Sequence, residues 1–468
     1  MSNPESAAAR IDSALDGFFQ PRLKRGRRVC VGLSGGMDSV TLLHALWRLS
    51  RTGKLSVDVS AVHVCHGISP YADAWADFCR EYCLRLNVPL VVAKVDVPRD
   101  SGEGLEGAAR RLRHGVFAGL DVDWLVLAHH RDDQAETVLL NLLRGAGVAG
   151  ASGMRIARTQ VSGPVLARPF LGIARSVLLD YARAWGLSWI EDESNDDPRF
   201  RRNFLRHDIL PRLEREFPGT GASLARAAEH FGEATVLLDA LAALDRETVV
   251  AASGRIAVDA FNRLSPARAR NLLRHVWKQA GHRAPDTNWV GEALKQLASA
   301  DARSEICLTT ADGALRVYRG ELYIVPPHEM PVVPLSWSGQ DALPWAEGWV
   351  RFSERMGRGI RRDMLLGKRV VLDIRRGGER LRPDARRPRR ALRKLLRESA
   401  VPPWERARLP LLWIDGCLAW VDGIGCDIAF ACPPGEVGIF PFREGKGQGS
   451  PGQLSPTASP EREREEEI

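Results

Sequence analysis

A strand, a glycine turn and a helix follow one another early in the chain. The segment Ser34–Ser39, which reads SGGMDS, lies between the apolar run 29–33 and the apolar-periodic segment 40–46. Glycine adopts positive φ and lets the backbone approach a ligand closely, and the N-terminus of a helix attracts phosphate. Because no lysine follows the second glycine, the segment differs from the loop of the P-loop NTPases. The order therefore predicts another kind of phosphate-binding turn at the carboxyl end of a strand.

Apolar strands alternate with helical segments through residues 1–215. The candidate strands are 28–33, 57–64, 90–95 and 124–128, and candidate helices at 72–86 and 106–120 lie between them. Such alternation predicts an α/β fold with a doubly wound parallel sheet. Ligands in this fold class bind beyond the carboxyl ends of the strands. We therefore expect residues 1–215 to be the catalytic domain.

The remaining chain predicts further domains, because 468 residues exceed what one core normally holds. Residues 216–330 carry Ala-rich helical periodicity and predict a mainly helical middle domain. Residues 331–348 are proline-rich and predict a linker. Residues 349–442 predict a small, basic α+β domain. The Gly/Ser/Pro-rich segment 443–468 predicts a disordered tail.

Composition narrows the function classes. Lys and Arg number 66 against 58 Asp and Glu, an excess that suits a phosphate-bearing partner. We see neither a signal-peptide pattern nor an apolar run of about 20 residues, and so expect a cytoplasmic protein without a membrane span. The eight cysteines are scattered and form no C-x-x-C pair. That spacing argues against a zinc ribbon, an iron–sulfur site and a persulfide site.

A second group of polar residues follows the strand candidate 124–128. His129 and His130 precede an acidic helix start in which Asp132 is the expected N-cap. Asp133 and Glu136 are three residues apart and so share one helix face. Two carboxylates there could hold an ammonium group or a metal ion. The alternative is that these acids only cap the helix and complement its dipole.

Two arginine groups have weaker patterns. Arg110 and Arg113 lie three apart on one helix face, which suits phosphate oxygens or a developing negative charge, although surface arginines are common. Near the end of the first domain, Arg202, Asn203 and Arg206 interleave with apolar residues. Contact with RNA and an ordinary solvated helix are both open for that segment.

Taken together, these segments resemble the bacterial tRNA(Ile)-lysidine synthetases, a family within the PP-loop N-type ATP pyrophosphatases. The resemblance covers most of the chain up to about residue 440. The loop alone indicates only the superfamily, and the later segments make the likeness specific. The matching segments are Ser34–Ser39, His63–Gly67, Ala108–Arg110 with Arg113, His129–Thr137, Arg202-Asn203, Arg376–Pro383 and Val401–Arg406.

The resemblance implies a ligase that acts on tRNA. In that family, ATP adenylates the C2 oxygen of the wobble cytidine of a tRNA(Ile) with a CAU anticodon, and pyrophosphate leaves. The ε-amine of L-lysine then attacks C2 and expels AMP, which gives lysidine. ATP and L-lysine are the expected small-molecule partners, Mg²⁺ is the expected cofactor, and members of the family are often homodimers.

The resemblance also implies residue roles. Asp38 would bind Mg²⁺, because a bare carboxylate repels phosphate. Asp133 and Glu136 would bind the lysine ammonium and accept its proton, and Arg113 would stabilise negative charge. With Asp38, these three are the expected catalytic residues. The expected nucleotide-binding residues are Ser34, Gly35, Gly36, Met37, Asp38, Ser39 and His63.

Binding of tRNA is expected mainly outside the catalytic domain. Residues 351–400 hold 18 Lys and Arg against six Asp and Glu, and segment 386–397 predicts a basic amphipathic helix suited to an RNA backbone. A disordered basic run is the alternative. The expected tRNA-binding residues are Arg202, Asn203, Arg206, Arg380, Arg382, Arg389, Arg390, Arg393 and Lys394.

Three rival functions share part of this pattern. A PP-loop tRNA 2-thiolase would need a sulfur-carrying cysteine or a cluster, and the missing C-x-x-C counts against it. An amidating synthetase would need an ammonia source, for which we find no glutaminase-like segment. An RNA-binding protein with an inactive pyrophosphatase domain would not need to keep the loop and the acid–histidine motif.

Overall fold

The computed structural model describes residues 4–98, 104–159, 163–191, 201–301, 303–326, 332–346 and 348–445. The chain forms two compact units, residues 1–238 and 239–468. The boundaries expected at residues 215, 330 and 348 stay predictions. No helix in the described part of the chain is long and apolar enough to cross a membrane.

The first unit alternates helices and strands as the sequence predicts. Its strands are β1 (Arg28–Gly32), β2 (Asp58–Cys65), β3 (Leu90–Lys94), β4 (Trp124–Val126), β5 (Ala157–Arg158) and β6 (Val165–Ala167). Its helices are α1 (Pro4–Phe19), α2 (Met37–Arg51), α3 (Ala72–Leu86), α4 (Gly104–Ala118), α5 (Arg131–Leu143), α6 (Val148–Ala151), α7 (Arg175–Ala184), α8 (Arg201–Phe204) and α9 (Leu210–Glu216). A 3-10 turn occupies Gln20–Arg25, and a π-helical turn, Leu205–Ile209, joins α8 to α9.

These strands form one sheet in the order β3-β2-β1-β4-β6-β5. All neighbouring pairs are parallel except β5 with β6, which places a short antiparallel strand at one edge. The predicted α/β class with a doubly wound parallel sheet is confirmed. The order reverses between β1 and β4, and in such sheets ligands bind at this switch point, beyond the carboxyl ends. The loops after β1 and β4 are therefore placed to form a site.

Helices cover both faces of the sheet, and alternating side chains of β1 show why. Val29 and Val31 pack into a core with residues of α1, α2 and α7, whereas Cys30 packs into a separate core with Phe117 of α4. All three side chains are almost fully buried. A strand that is buried on both faces has apolar residues at consecutive positions, as β1 has in the sequence.

The second unit is mixed. A long helix, α10 (Thr220–Val249), runs across the division between the units. Further helices are α11 (Val258–Phe261), α12 (Pro266–Gln279), α13 (Thr287–Ala298), α14 (Leu392–Glu398) and α15 (Pro403–Arg406), and a 3-10 turn spans Arg362–Met364. Its strands are β7 (Ile256–Ala257), β8 (Cys307–Thr309), β9 (Ala314–Tyr318), β10 (Glu321–Val325), β11 (Leu335–Trp337), β12 (Ala342–Trp345), β13 (Gly348–Met356), β14 (Ile360–Arg361), β15 (Val370–Asp373), β16 (Arg380–Leu381), β17 (Arg390–Ala391), β18 (Leu411–Ile414), β19 (Cys417–Val421), β20 (Gly425–Cys426) and β21 (Val437–Gly445).

Four small sheets organise this unit. Their strand orders are β7-β10-β9-β8, β11-β15-β18-β19-β20, β12-β13-β21-β14 and β16-β17. The first packs against α12 and α13 in one core, which contains Leu272 and Trp277. Two further cores hold the strand-rich part, and the leucines of α14 are buried in one of them.

Three predictions for this unit are corrected. Segment 331–348 is not only a linker, because β11 and β12 lie in it. Both are edge strands, and a proline such as Pro344 is tolerated at a sheet edge. The tail does not start at residue 443, since β21 continues to Gly445; residues 446–468 lie outside the described part. The basic helix does not span 386–397, because Arg390 belongs to β17 and α14 begins at Leu392.

Candidate active site

The glycine loop joins β1 to α2. Gly36 is the N-cap of α2, whose first residues are Met37, Asp38 and Ser39. Two serines fold the loop: the hydroxyl of Ser39 donates to the carbonyl of Gly36 (2.9 Å), and the backbone N–H of Ser34 donates to that same hydroxyl (3.2 Å). The first turn of a helix leaves its N–H groups without intrahelical acceptors. The loop therefore presents amide donors and the positive end of a helix dipole at the switch point.

Only glycine fits at position 35. Its φ is +90°, in the region that side chains disfavour, and an added Cβ would lie 2.9 Å from Cδ1 of Ile190. The carbonyl of Gly35 also accepts a hydrogen bond from the N–H of Ile190 (2.9 Å). Residue 190, about 150 residues further along the chain, thus holds the loop in place.

A pocket of about 440 Å³ opens beside the loop. We call it the strand-end pocket. It collects side chains from the ends of β1, β2 and β4 and from α4, as the parallel topology requires. Its polar lining comprises Ser34, Asp38, Ser39, His63, His66, Arg113, His129 and Asp133.

The predicted nucleotide residue His63 lies in this pocket and is 5% exposed. Its Nδ1 lies 2.9 Å from the carbonyl oxygen of Leu33. Because a carbonyl only accepts, Nδ1 carries the proton and Nε2 keeps a lone pair. Burial is the main cause that lowers the pKa of His63 below its ordinary value. This ring is therefore a neutral acceptor beside the loop.

Asp38 has the features of a magnesium ligand. Its Oδ1 is buried and has no hydrogen-bond donor among the described residues. The nearest charged groups are Nε of Arg175, 3.8 Å from Oδ1, and Nε2 of His130, 3.7 Å from Oδ2. The described residues contain no group of three or more His, Cys, Asp or Glu able to hold a metal. A single hard oxygen ligand fits Mg²⁺, which binds few carboxylates and completes its shell with phosphates and water.

The helix after β4 begins two residues earlier than the sequence predicts. His130, not Asp132, is the N-cap of α5: its Nδ1 accepts from the N–H of Asp133 (3.3 Å), and the Asp133 carboxylate accepts from the N–H of His130 (3.1 Å). Asp132 instead accepts from the N–H of Arg175 (2.9 Å) at the start of α7. An imidazole nitrogen can replace a carboxylate as a cap acceptor, so the N-cap prediction was wrong.

Neighbouring carboxylates also act on His130. Burial disfavours its charged form, but hydrogen bonds to Asp132 and Asp38 and the charge of Asp133 outweigh burial and raise its pKa to about 9. The cap bond needs an unprotonated Nδ1, because both nitrogens of an imidazolium are donors. Protonation of His130 would therefore remove this cap bond.

The two predicted amine-binding carboxylates are ion-paired with the predicted RNA-binding arginines. Nε of Arg202 donates to Glu136 (2.7 Å) and its Nη2 donates to Asp133 (3.1 Å). Arg206 donates from Nε to Glu136 (2.6 Å) and from Nη2 to Asp133 (3.2 Å). Glu136 is only 1% exposed, so two guanidinium groups compensate a charge that burial alone would forbid. The third RNA-binding residue predicted in this region, Asn203, is buried in α8.

Most predicted RNA contacts in the second unit also have internal partners. Arg389 donates to the buried carboxylate of Asp427 (2.9 Å), and Arg390 donates to Glu398 (2.8 Å). The Arg380 and Arg382 side chains donate to backbone carbonyls of residues 385–389. By contrast, Arg393, Lys394 and Arg397 are exposed on α14. Within the described part of the chain their side chains make no hydrogen bond or ion pair.

Sequence reasoning missed several members of the site. Arg168 and Arg175 follow β6 and start α7, and neither element was predicted. Arg202 and Arg206 lie 66 or more residues from Glu136 in the sequence. No local pattern therefore predicts that these arginines pair with the carboxylates of α5. The sequence shows that His129 and His130 are adjacent. It does not show that arginines surround His129 whereas carboxylates surround His130.

Comparison with known proteins assigns the chain to a family. Residues 7–213 match the PP-loop domain, residues 257–323 the TilS substrate binding domain, and residues 370–441 the TilS substrate C-terminal domain. The tRNA(Ile)-lysidine synthase of Nitrosomonas europaea is 41% identical over 91% of this chain and 94% of its own. The chain belongs to the tRNA(Ile)-lysidine synthase family.

Two further members have similar likeness. The tRNA(Ile)-lysidine synthase of Azoarcus sp. (strain BH72) is 42% identical over 88% of this chain and 91% of its own. That of Aromatoleum aromaticum is 45% identical over 88% of this chain and 96% of its own. These three members of the tRNA(Ile)-lysidine synthase family thus match this chain over 88–91% of its length, which the loop alone could not establish.

Three buried cysteines of the first unit have thiols whose pKa is raised. Cys79 lies close to the loop, and burial is the main cause that raises its pKa to about 12. Burial likewise raises the pKa values of Cys30 and Cys83 to about 11. A nucleophilic or sulfur-carrying cysteine must reach the thiolate form, which these three buried thiols resist.

Proposed function

We propose that this chain converts the wobble cytidine of a tRNA(Ile) with a CAU anticodon to lysidine, using ATP and L-lysine. The chain is a ligase of the tRNA(Ile)-lysidine synthase family. The observation that carries the proposed chemistry is one pocket in which the glycine loop, His63, Arg113 and Asp133 meet. Cytoplasmic tRNA would be the substrate, and a homodimer stays a prediction.

The loop would hold the polyphosphate of ATP. Helix amides would donate to the leaving pyrophosphate. The hydroxyls of Ser34 and Ser39 would donate as well once they turn away from their contacts within the loop. Asp38 would hold Mg²⁺, which when bound neutralises charge on the polyphosphate. The lone pair on Nε2 of His63 suits an exocyclic amine such as that of adenine.

Arg113 would face the reacting centre. It lines the pocket across from the loop, and a fixed guanidinium stabilises negative charge that develops on the α-phosphate or on the cytosine oxygen. Adenylation turns a poor leaving oxygen into AMP. The amine of lysine can then displace it at C2.

Asp133 and Glu136 would bind the lysine ammonium and accept its proton. Their present partners, Arg202 and Arg206, neutralise both carboxylates through five hydrogen bonds. Lysine brings the same charge and the same kind of donor, so it can substitute for a guanidinium in this cluster. We expect one of the two arginines to give way when lysine binds.

Contact with tRNA would come from the exposed cations of α14. Arg393, Lys394 and Arg397 project from a helix whose leucines are buried. Phosphate contacts by exposed cations release counterions from RNA and so strengthen binding at low salt.

One incubation tests the proposal. The full chain is mixed with ATP, isotopically labelled lysine and an unmodified tRNA(Ile) transcript with a CAU anticodon, and the nucleosides are then analysed by mass spectrometry. We expect the label in a cytidine derivative. The control is a tRNA(Met) transcript with the same anticodon, which should stay unlabelled. Absence of label from both transcripts, with folded protein, would refute the proposal.

A further inference from the structure

The function proposed above gives no role to His129 and Arg168, which lie next to each other at the carboxyl ends of the strands. Strands β4 and β6 are parallel neighbours with Val126 opposite Ala167. The N–H of Leu127 donates to the carbonyl of Ala167 (2.9 Å), which extends the pairing beyond β4. His129 and Arg168 follow at the carboxyl ends of the two strands. The topology therefore brings them side by side at the pocket.

Arg168 is fixed by neutral partners. It is 7% exposed. Its Nη1 donates to the carbonyl of Arg155 (2.9 Å), and its Nε donates to Nδ1 of His129 (3.1 Å). An arginine has only donors. Nδ1 of His129 must therefore offer a lone pair, and in a neutral ring the proton is then on Nε2.

The surroundings keep the ring neutral. Burial first, and then the charges of Arg168, Arg202, Arg113 and Arg110, lower the pKa of His129 well below its ordinary value. These cations come from the end of β6, from α8 and from α4. The adjacent His130 instead faces carboxylates, which raise its pKa.

We propose that Arg168 is a positioning residue that fixes His129 as an Nε2–H donor directed at the reacting oxygens of the substrates. His129 lines the strand-end pocket with Arg113 and Asp133, where, on the function proposed above, the cytosine C2 oxygen meets the α-phosphate. Both candidate acceptors are oxygens that carry negative charge during adenylation, and a preorganised neutral donor stabilises such charge.

Two of the imidazoles that line the pocket, His63 and His129, thus have opposite roles. His63 has its proton on Nδ1 and offers an acceptor, whereas His129 has its proton on Nε2 and offers a donor. An acceptor suits an amine, and a donor suits an oxygen. The structure assigns each ring a different substrate group through the partner of its other nitrogen.

The first test is spectroscopic and needs no activity. The full chain is labelled with ¹⁵N-histidine, and His129 is assigned by comparison with His129→Gln. We expect Nδ1 to resonate as an unprotonated nitrogen and Nε2 as a protonated one, unchanged between about pH 5 and pH 8. Arg168→Met should give a mixture of tautomers and a ring that titrates. A protonated Nδ1 in the wild-type chain would overturn the proposal.

The second test links the tautomer to the reaction. Arg168→Met should lower kcat for lysidine formation about 10- to 100-fold, the usual loss when a residue that orients an imidazole is removed. Arg168→Gln, which keeps a donor, should recover part of the rate. Circular dichroism and thermal unfolding check that each variant folds. If Arg168→Met is unfolded, His129→Leu and His129→Gln decide: the leucine variant should be slow, and the glutamine variant should keep part of the rate.

Two measurements identify the oxygen that accepts the hydrogen bond from Nε2 of His129. Weaker binding of ATP alone by His129→Leu would assign the donor to a phosphate oxygen. Unchanged ATP binding with a slower tRNA-dependent ATP–pyrophosphate exchange would assign it to the cytosine oxygen. A His129→Leu variant with wild-type rates in both would overturn the proposal. Failure of the proposed function can be distinguished from failure of this proposal. In the first case the wild-type protein would make no lysidine, while the ¹⁵N signal of the His129 tautomer would remain.

Discussion

Arg168, beside His129, and the ion-paired arginines of the C-terminal domain have different kinds of partner. Arg168 is buried, and both of its hydrogen-bond acceptors are uncharged. Burial and the charges of Arg110 and Arg158 lower its pKa to about 10. In the C-terminal domain many arginines face carboxylates, as Arg389 faces Asp427 and Arg390 faces Glu398.

The difference teaches that a count of cations does not measure the charge available to a ligand. Residues 351–400 carry a large excess of Lys and Arg, yet ion pairs occupy many of them. Around His129, by contrast, the charges of Arg168, Arg202, Arg113 and Arg110 act on a neutral ring. In the C-terminal domain, the cations that have no partner among the described residues include those on the exposed face of α14.

Loss of the Asp38 carboxylate should have the largest effect. Asp38→Asn removes the expected magnesium ligand, and lysidine formation should fall about 10²- to 10³-fold, as when one electrostatic partner of a transition state is removed. Rates are measured at saturating substrates. The matched control is Asp16→Asn on an exposed face of α1, which should keep the wild-type rate. A wild-type rate in Asp38→Asn would remove this residue from the mechanism.

Changing Glu136 tests the amine pocket. Glu136→Gln deletes one carboxylate that the lysine ammonium would use, and a hydrogen bond to a charged group is worth about 1.5–3 kcal/mol. The KM for lysine should rise about 10- to 100-fold while ATP binding stays unchanged. The control is Glu81→Gln, an exposed carboxylate on α3. An unchanged KM for lysine would place the amine elsewhere.

The α14 cations test the RNA surface. Replacing Arg393, Lys394 and Arg397 by Ala should weaken tRNA binding and reduce the slope of log K against log salt by about 2. Filter binding at several salt concentrations measures it. A matched control replaces three cations of the same domain that are already ion-paired, Arg361, Arg362 and Lys368. Equal slopes for the two triple variants would contradict the distinction drawn between paired and exposed cations.

Arg389 should matter for folding more than for RNA. Arg389→Ala leaves the buried Asp427 with only its backbone donors from Arg382 and Ala429. Because Arg389 itself is half exposed, the loss of unfolding free energy should be modest, about 1 kcal/mol. Urea unfolding measures it. If Arg389→Ala instead reduced the slope of log K for tRNA binding against log salt, with the free energy of unfolding unchanged, Arg389 would be a contact to the RNA backbone.

The sequence predicted the fold of the first unit well because local signals agreed there. Helix α3 has the predicted limits, and β1 to β4 lie within one or two residues of their predicted positions, since each is a continuous apolar run next to a loop. Parallel topology then brings the loop ends together, so a pocket at Ser34, His63 and Asp133 followed from order alone.

Other features depended on long-range contacts. The basic helix was predicted too long because arginine periodicity cannot distinguish β17 from the first turn of α14. The hairpin of β18 and β19 lies in a mainly apolar run, 411–421, that looks like a single strand in the sequence because its turn at Asp415 and Gly416 is short. Arg168 could not be assigned at all, since its role depends on a partner 39 residues away.

The most direct test of the central claim compares both regions in one assay. Exchange of labelled pyrophosphate into ATP, dependent on saturating tRNA and measured without lysine, reports adenylation alone. We predict that Asp38→Asn shows almost no exchange at any tRNA concentration. The triple variant of Arg393, Lys394 and Arg397 should exchange at nearly the wild-type rate once tRNA saturates. Normal exchange by Asp38→Asn, or loss of exchange by the triple variant at saturating tRNA, would contradict the division between a catalytic pocket and an RNA-binding helix.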